Sequence, residues 1–120
     1  MKHSPGFQAL CEEARRQISE IPPLDTLGEI QAGTSVVIDV REDREAAKGT
    51  IQGATHLGRG VIERDIELSV PDKSQAIILY CGGGYRSALA ALNLQKMGYT
   101  QVKSMAGGWR AWQELGYPVT

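Results

Sequence analysis

Two stretches of the chain are apolar at nearly every position. They are Val36-Val37-Ile38-Asp39-Val40 and Ala76-Ile77-Ile78-Leu79-Tyr80. Short β-branched runs of this kind predict strands buried on both faces, as in a parallel sheet. Ala54 to Leu57 and Val102 to Met105 read as two further short strands. Between them the spacing changes from strand-like to helical. Phe7, Leu10, Cys11, Ala14 and Ile18 recur at helical intervals, so a first helix is expected from Pro5 to Glu20. Ser4 is placed to cap it, Pro5 suits its first turn, and Pro22-Pro23 ends it.

Asp25 or Thr26 caps a second, short helix that runs through Ile30 and closes at Gly33. Arg41 to Lys48 is a charged, helix-compatible turn. Val61 to Leu68 forms another short helix, with Ile62 and Ile66 on one side. Tyr85 to Met97 is rich in Ala and Leu and stops at Gly98. A last helix follows Gly107-Gly108, carries Trp109 and Trp112, and ends at Gly116 and Pro118. Strands alternating with helices predict an α/β fold with a mainly parallel sheet. In such sheets ligands bind at the carboxyl ends of the strands. Cys81 follows one of those ends, and Asp39 to Arg41 lies at another.

Composition narrows the function without naming it. The 120 residues are 42% hydrophobic and 22% charged, with a net charge of -1. That is enough chain for one domain with its own core. It gives no global charge for nucleic acid or a membrane surface, so any preference for anions must be local. The apolar runs are too short to span a bilayer, and no apolar stretch follows Met1 to Gly6 as a signal peptide requires. The two cysteines, Cys11 and Cys81, suit neither a disulfide framework nor zinc. A cytoplasmic setting with free thiols is the expectation. Cys11 falls on the apolar side of the first helix and reads as a core residue.

The candidate chemistry lies in Cys81-Gly82-Gly83-Gly84-Tyr85-Arg86-Ser87. A cysteine leaving a buried strand enters a glycine loop and then a helix. Such a loop turns backbone amides toward an anion, and the helix adds the positive end of its dipole. Arg86 adds a full charge. Each of these favours thiolate over thiol. The Ser87 hydroxyl is able to donate to the sulfur or the loop. Tyr85 shapes the mouth of the site.

Four segments in order carry a resemblance to the rhodanese family of sulfurtransferases, and to its single-domain members in particular. They are Val37-Ile38-Asp39-Val40-Arg41-Glu42, Gly49-Thr50-Ile51-Gln52-Gly53-Ala54, the Cys81 to Ser87 loop, and Gly107-Gly108-Trp109 with Trp112. The likeness runs from about Leu24 to Thr120. It implies a rhodanese-like domain over residues 23–120, with a five-stranded, mainly parallel sheet flanked by helices on both faces. Residues 1–22 would then be an N-terminal helical extension.

The family's chemistry implies a persulfide on Cys81. Its sulfur would come from a small anionic donor such as thiosulfate and pass to cyanide, a thiol or a protein acceptor, with no cofactor and no metal. Gly82, Gly83, Gly84, Tyr85, Arg86 and Ser87 would bind substrate. Asp39 would brace the loop, and Arg41 and Arg59 would draw in anions. Thr50 stands where the family usually has histidine, and Leu57-Gly58-Arg59 where it often has Ile-Pro. Tyrosine-phosphatase-like and arsenate-reducing enzymes cradle a thiolate in a similar loop. The phosphatase loop is one residue longer between Cys and Arg, so the shorter Cys81–Arg86 spacing favours sulfur transfer.

Overall fold

The computed structural model describes residues 3–120, so Met1 and Lys2 at the start of the 1–22 segment lie outside it. Among the described residues, six helices and five strands alternate. They run α1 (Pro5–Arg15), β1 (Ser19–Ile21), α2 (Pro23–Ala32), β2 (Val36–Asp39), α3 (Asp43–Ala46), β3 (Thr55–His56), α4 (Ile62–Ser69), β4 (Ile77–Tyr80), α5 (Arg86–Lys96), β5 (Val102–Met105) and α6 (Gly108–Glu114). The strands form one sheet in the order β1-β5-β4-β2-β3. Every pairing in it is parallel.

The central strands β2 and β4 are apolar except at Asp39 because both of their faces are covered. Ile77 and Leu79 pack with Ile38 and Val40 against Ile62, Ile66, Ala90, Ala91 and Leu94 of α4 and α5. Ile78 and Tyr80 face the other way, with Val37, Ile51 and Trp112, and Leu27 and Ile30 of α2 pack beside them. Burying each such aliphatic side chain contributes about 1.5–3 kcal/mol. This alternation decides the placement of the chemistry. Tyr80 points to the α2–α6 side, and the next residue, Cys81, falls on the α4–α5 side.

The N-terminal segment differs from its expected form. The first helix stops at Arg15 rather than Glu20, and Ser19–Ile21 is the fifth strand, paired with β5. The cause is local. A residue before proline is pushed out of the helical region, so Ile21, ahead of Pro22-Pro23, is extended. Pro22 then serves as N-cap and Pro23 as first residue of α2, so the pair opens a helix as well as closing the segment before it. The described part of the 1–22 segment is therefore not a purely helical extension, because its end is an edge of the sheet. Among the described residues no helix is long and apolar enough to cross a membrane.

Candidate active site

β4 ends at Tyr80, and the chain turns at once into Cys81 to Tyr85 before α5 begins at Arg86. The loop folds as it does because its carbonyls are held from outside. The Cys81 carbonyl accepts from the Trp109 amide at 2.8 Å, and the Gly82 carbonyl from the Arg110 amide at 3.1 Å. Those amides open α6. With the carbonyls turned outward, the following amides turn inward. The Gly84 amide donates to the Cys81 sulfur at 3.1 Å. The neighbouring Gly83 and Ser87 amides add to the pull toward thiolate.

Two glycines make this geometry possible. Gly84 has φ +96°, a region that residues with a side chain rarely adopt. Gly108 has φ +56°, and a Cβ there would lie 2.4 Å from the Cys81 carbonyl oxygen. The Gly107-Gly108-Trp109 segment is thus half of the loop's support.

Under the sulfur sits a buried hydroxyl pair. Ser87 Oγ is 3.5 Å from Cys81 Sγ and 2.7 Å from Ser104 Oγ on β5. Burial alone would raise the Cys81 thiol pKa. The Ser87 hydroxyl and the amides of Ser87, Gly83 and Gly84 outweigh it, and the net shift is downward. Cys81 is only 1% exposed, so its thiolate is stabilised by aimed dipoles rather than by water.

Arg86 is held by Glu45. Its Nη1 and Nη2 donate to the two carboxylate oxygens at 2.7 and 3.1 Å. The Arg86 guanidinium holds the Glu45 carboxyl down to about 2. The Glu45 carboxylate also accepts the Glu42 amide at 3.0 Å, which closes the capping box of α3.

Cys81, Gly82, Gly83, Tyr85 and Arg86 all line an open cleft of about 640 Å³. The structure therefore brings most of the expected loop residues to one site, with Ser87 beneath it. Three expected residues are elsewhere. Asp39 does not brace the loop. It pairs in register with Tyr80, so it lies on the α2–α6 side of the sheet, away from Cys81. There it accepts the Tyr80 hydroxyl at 2.9 Å and the Arg41 Nη2 at 2.7 Å. Glu45 takes the bracing place instead.

Arg41 is likewise not at the cleft. It is 3% exposed, bound to Asp39, to the Gly49 carbonyl at 2.6 Å, and over the Trp109 ring at 4.5 Å. A buried, fully engaged guanidinium does not recruit solutes. Arg59 donates to Glu63 at 3.1 Å and is absent from the cleft lining.

Besides Glu45, four residues of the site or its support went unnoticed in the sequence. Arg110 lines the cleft beside the loop. It follows Gly107-Gly108-Trp109 directly, so the motif itself was the available signal. Ser104 carried a weak one, a hydroxyl inside an apolar strand. His3 and Phe7 also line the cleft. Their rings lie 4.2 and 6.3 Å from that of Tyr85, and no sequence pattern announces that contact.

Trp112 is a core anchor. Trp109 both packs on the core and reaches the cleft. Both cysteines are free, and Cys11 is buried. Among the described residues no group of acidic, His or Cys side chains is gathered as for a metal.

Comparison with known proteins agrees with this fold. A sulfurtransferase of Allochromatium vinosum is 33% identical over 84 residues, covering 70% of this chain and 77% of its own. The thiosulfate sulfurtransferase GlpE of Stutzerimonas stutzeri is 32% identical over 98 residues, covering 82% and 86%. Among solved structures, a Rhodopseudomonas palustris protein of unknown function, described as a possible tyrosine phosphatase, superposes with a TM-score of 0.87. It is 30% identical and covers 100% of this chain and 98% of its own. The polysulfide-sulfur transferase of Wolinella succinogenes gives a TM-score of 0.81 at 25% identity, covering 96% and 87%. The family model for the rhodanese-like domain matches residues 23–115. With that match over most of its length, and with sulfurtransferases among its relatives, this chain belongs to the rhodanese-like domain family.

Proposed function

We propose that this protein is a thiosulfate-type sulfurtransferase working through a persulfide on Cys81. The observation that carries the reading is the Gly84 amide donating to a buried Cys81 sulfur that the Ser87 hydroxyl also reaches. In the first half-reaction the Cys81 thiolate attacks the outer sulfur of thiosulfate. The donor's S–S bond breaks, and its electron pair leaves with sulfite. Cys81 now carries the sulfur as a persulfide anion. The terminal sulfur carries the charge one bond beyond the Cys81 sulfur on which the loop closes.

In the second half-reaction an acceptor nucleophile, cyanide carbon or a thiolate sulfur, attacks that terminal sulfur. The persulfide S–S bond breaks and its electrons return to Cys81. Two half-reactions on one nucleophile predict ping-pong kinetics. Arg86 and Arg110 supply the positive charge that an anionic donor meets at the cleft. Arg86 is shared with Glu45, which leaves Arg110 as the less committed cation. Two free cysteines are in keeping with a reducing compartment such as the cytoplasm.

Phosphate ester hydrolysis is the competing chemistry for a thiolate in an amide cradle. The four residues between Cys81 and Arg86 make a smaller ring than phosphatase loops do, which favours a sulfur atom over a tetrahedral phosphate. The test is intact-protein mass spectrometry after exposure to thiosulfate. The wild type is expected to gain one sulfur atom and Cys81→Ser none. An unmodified wild type that hydrolyses an aryl phosphate would overturn the reading.

A further inference from the structure

The cleft is far larger than thiosulfate or cyanide needs. Its volume of about 640 Å³ lies in the range that holds whole organic ligands. Its walls also differ in character. Gln113 and Glu114 of α6, with Arg110, make one side polar. The other side is a row of rings. His3 lies 4.2 Å from Tyr85 and 5.2 Å from Phe7, centroid to centroid. All three rings line the cleft and remain partly exposed.

Two of these rings come from a segment that lies ahead of the family match at residues 23–115. They are nevertheless fastened to the loop. Cys11 and Ala14 bury the inner face of α1. From the same helix the Arg15 guanidinium lies 4.3 Å from the Tyr85 ring centroid. The wall is therefore built partly by this chain's own N-terminal segment and held against Tyr85, the residue that leads into α5.

We infer that the His3–Phe7–Tyr85 wall selects the sulfur acceptor, and that the preferred acceptor class is a thiol carrying a planar aromatic ring next to its sulfur. The inference rests on the Cys81 persulfide reading. A persulfide on Cys81 projects into the cleft, so an acceptor must bring its sulfur to the loop while its body lies along a wall. Aromatic rings gain from offset stacking or edge-to-face contact beyond the area they bury. Cyanide and short alkyl thiols cannot use that surface. An aryl thiol can, because its ring stands within a few ångströms of the attacking sulfur.

The experiment compares two carboxylate-bearing thiols, para-mercaptobenzoate and mercaptoacetate, with thiosulfate as donor; their different intrinsic reactivity cancels when the ratio is compared between variants. The readout is the ratio of their kcat/KM values in the wild type, Phe7→Ala, His3→Ala and Phe7→Tyr. Phe7→Ala and His3→Ala should each lower the aryl-to-alkyl ratio by about three- to tenfold, the size of one lost aromatic contact. Phe7→Tyr, which keeps the ring, should hold the wild-type ratio. His3 precedes α1, so its variant decides the matter if Phe7→Ala does not fold.

A ratio that stays constant across all variants would mean that the rings only pack α1 onto the loop, and the inference would fall. The underlying reading fails separately. In that case thiosulfate adds no sulfur to wild-type Cys81, whatever the acceptor.

Discussion

Glu45 and Arg86 stand 41 positions apart and meet through both carboxylate oxygens, at 2.7 and 3.1 Å. This pair ties the first turn of α5, and with it the Cys81 loop, to α3. Its side chains are about one-third exposed, 29% for Arg86 and 34% for Glu45, so water screens it. Glu45→Gln is expected to lower stability near neutral pH by about 1 kcal/mol. The sign of the pH dependence follows from the Glu45 carboxyl. Its pKa is about 2 in the fold against an ordinary 4.5, so the stabilisation is present above 4.5 and fades as pH falls toward 2. Denaturant unfolding of both proteins across that window checks it. The difference between them should shrink with acid, and a constant difference would refute the pairing's role.

The Cys81 thiol should ionise below the ordinary value of 9.0 despite its burial. Ultraviolet thiolate absorbance, with the Cys81→Ser signal subtracted, measures this. Ser87→Ala removes one donor to the sulfur and the partner of Ser104. It should move the Cys81 transition upward, because a hydrogen bond to the charged form is lost. At pH values below the transition, sulfur uptake from thiosulfate should slow in proportion to the thiolate lost. An unshifted transition would assign the thiolate to the backbone amides alone.

Much of the frame was legible because its signals are local. The β-branched runs at Val36 and Ile77 are strands, and the turn from Cys81 to Ser87 is the loop they lead to. The strand at Ser19–Ile21 was hidden because it is three residues long with only Ile21 buried. Reading Asp39 as the brace failed on strand parity. Its neighbour Val40 shares the Cys81 side, and Asp39 itself points away. Glu45, His3 and Phe7 reach the site only through tertiary packing, and no spacing rule connects them to Cys81. Arg41 looked like a surface arginine because composition says nothing of the Asp39 carboxylate that buries it.

That buried pair leads to a further prediction. Asp39 is fully buried and Arg41 nearly so, and Tyr80, Asp39, Arg41 and the Gly49 carbonyl form one hydrogen-bonded chain. Asp39→Ala leaves the Arg41 guanidinium without its counter-charge. Removing one partner of a buried ion pair costs about 3–5 kcal/mol. Thermal unfolding should show the loss. The fraction that stays folded should still load sulfur from thiosulfate at close to the wild-type rate, because the pair lies on the far side of the sheet. A stable variant with slow loading would restore Asp39 as a brace.

Gly108 and Gly116 separate backbone strain from loop support. Both have positive φ, +56° and +72°. An alanine Cβ at Gly116 meets open space, whereas at Gly108 it would lie 2.4 Å from the Cys81 carbonyl oxygen and 2.9 Å from the Gly82 carbonyl carbon. Gly116→Ala should therefore lose only the strain term of about 1 kcal/mol. It should leave the Cys81 transition where it is. Gly108→Ala carries similar strain and also pushes α6 off the loop. The Trp109 and Arg110 amides then release the Cys81 and Gly82 carbonyls, and the inward amides lose their aim. Its thiolate transition should rise toward the ordinary cysteine value, and sulfur loading should fall by about a hundredfold, the scale of losing one preorganised donor to a developing anion. Equal effects from the two substitutions would mean that α6 does not hold the loop.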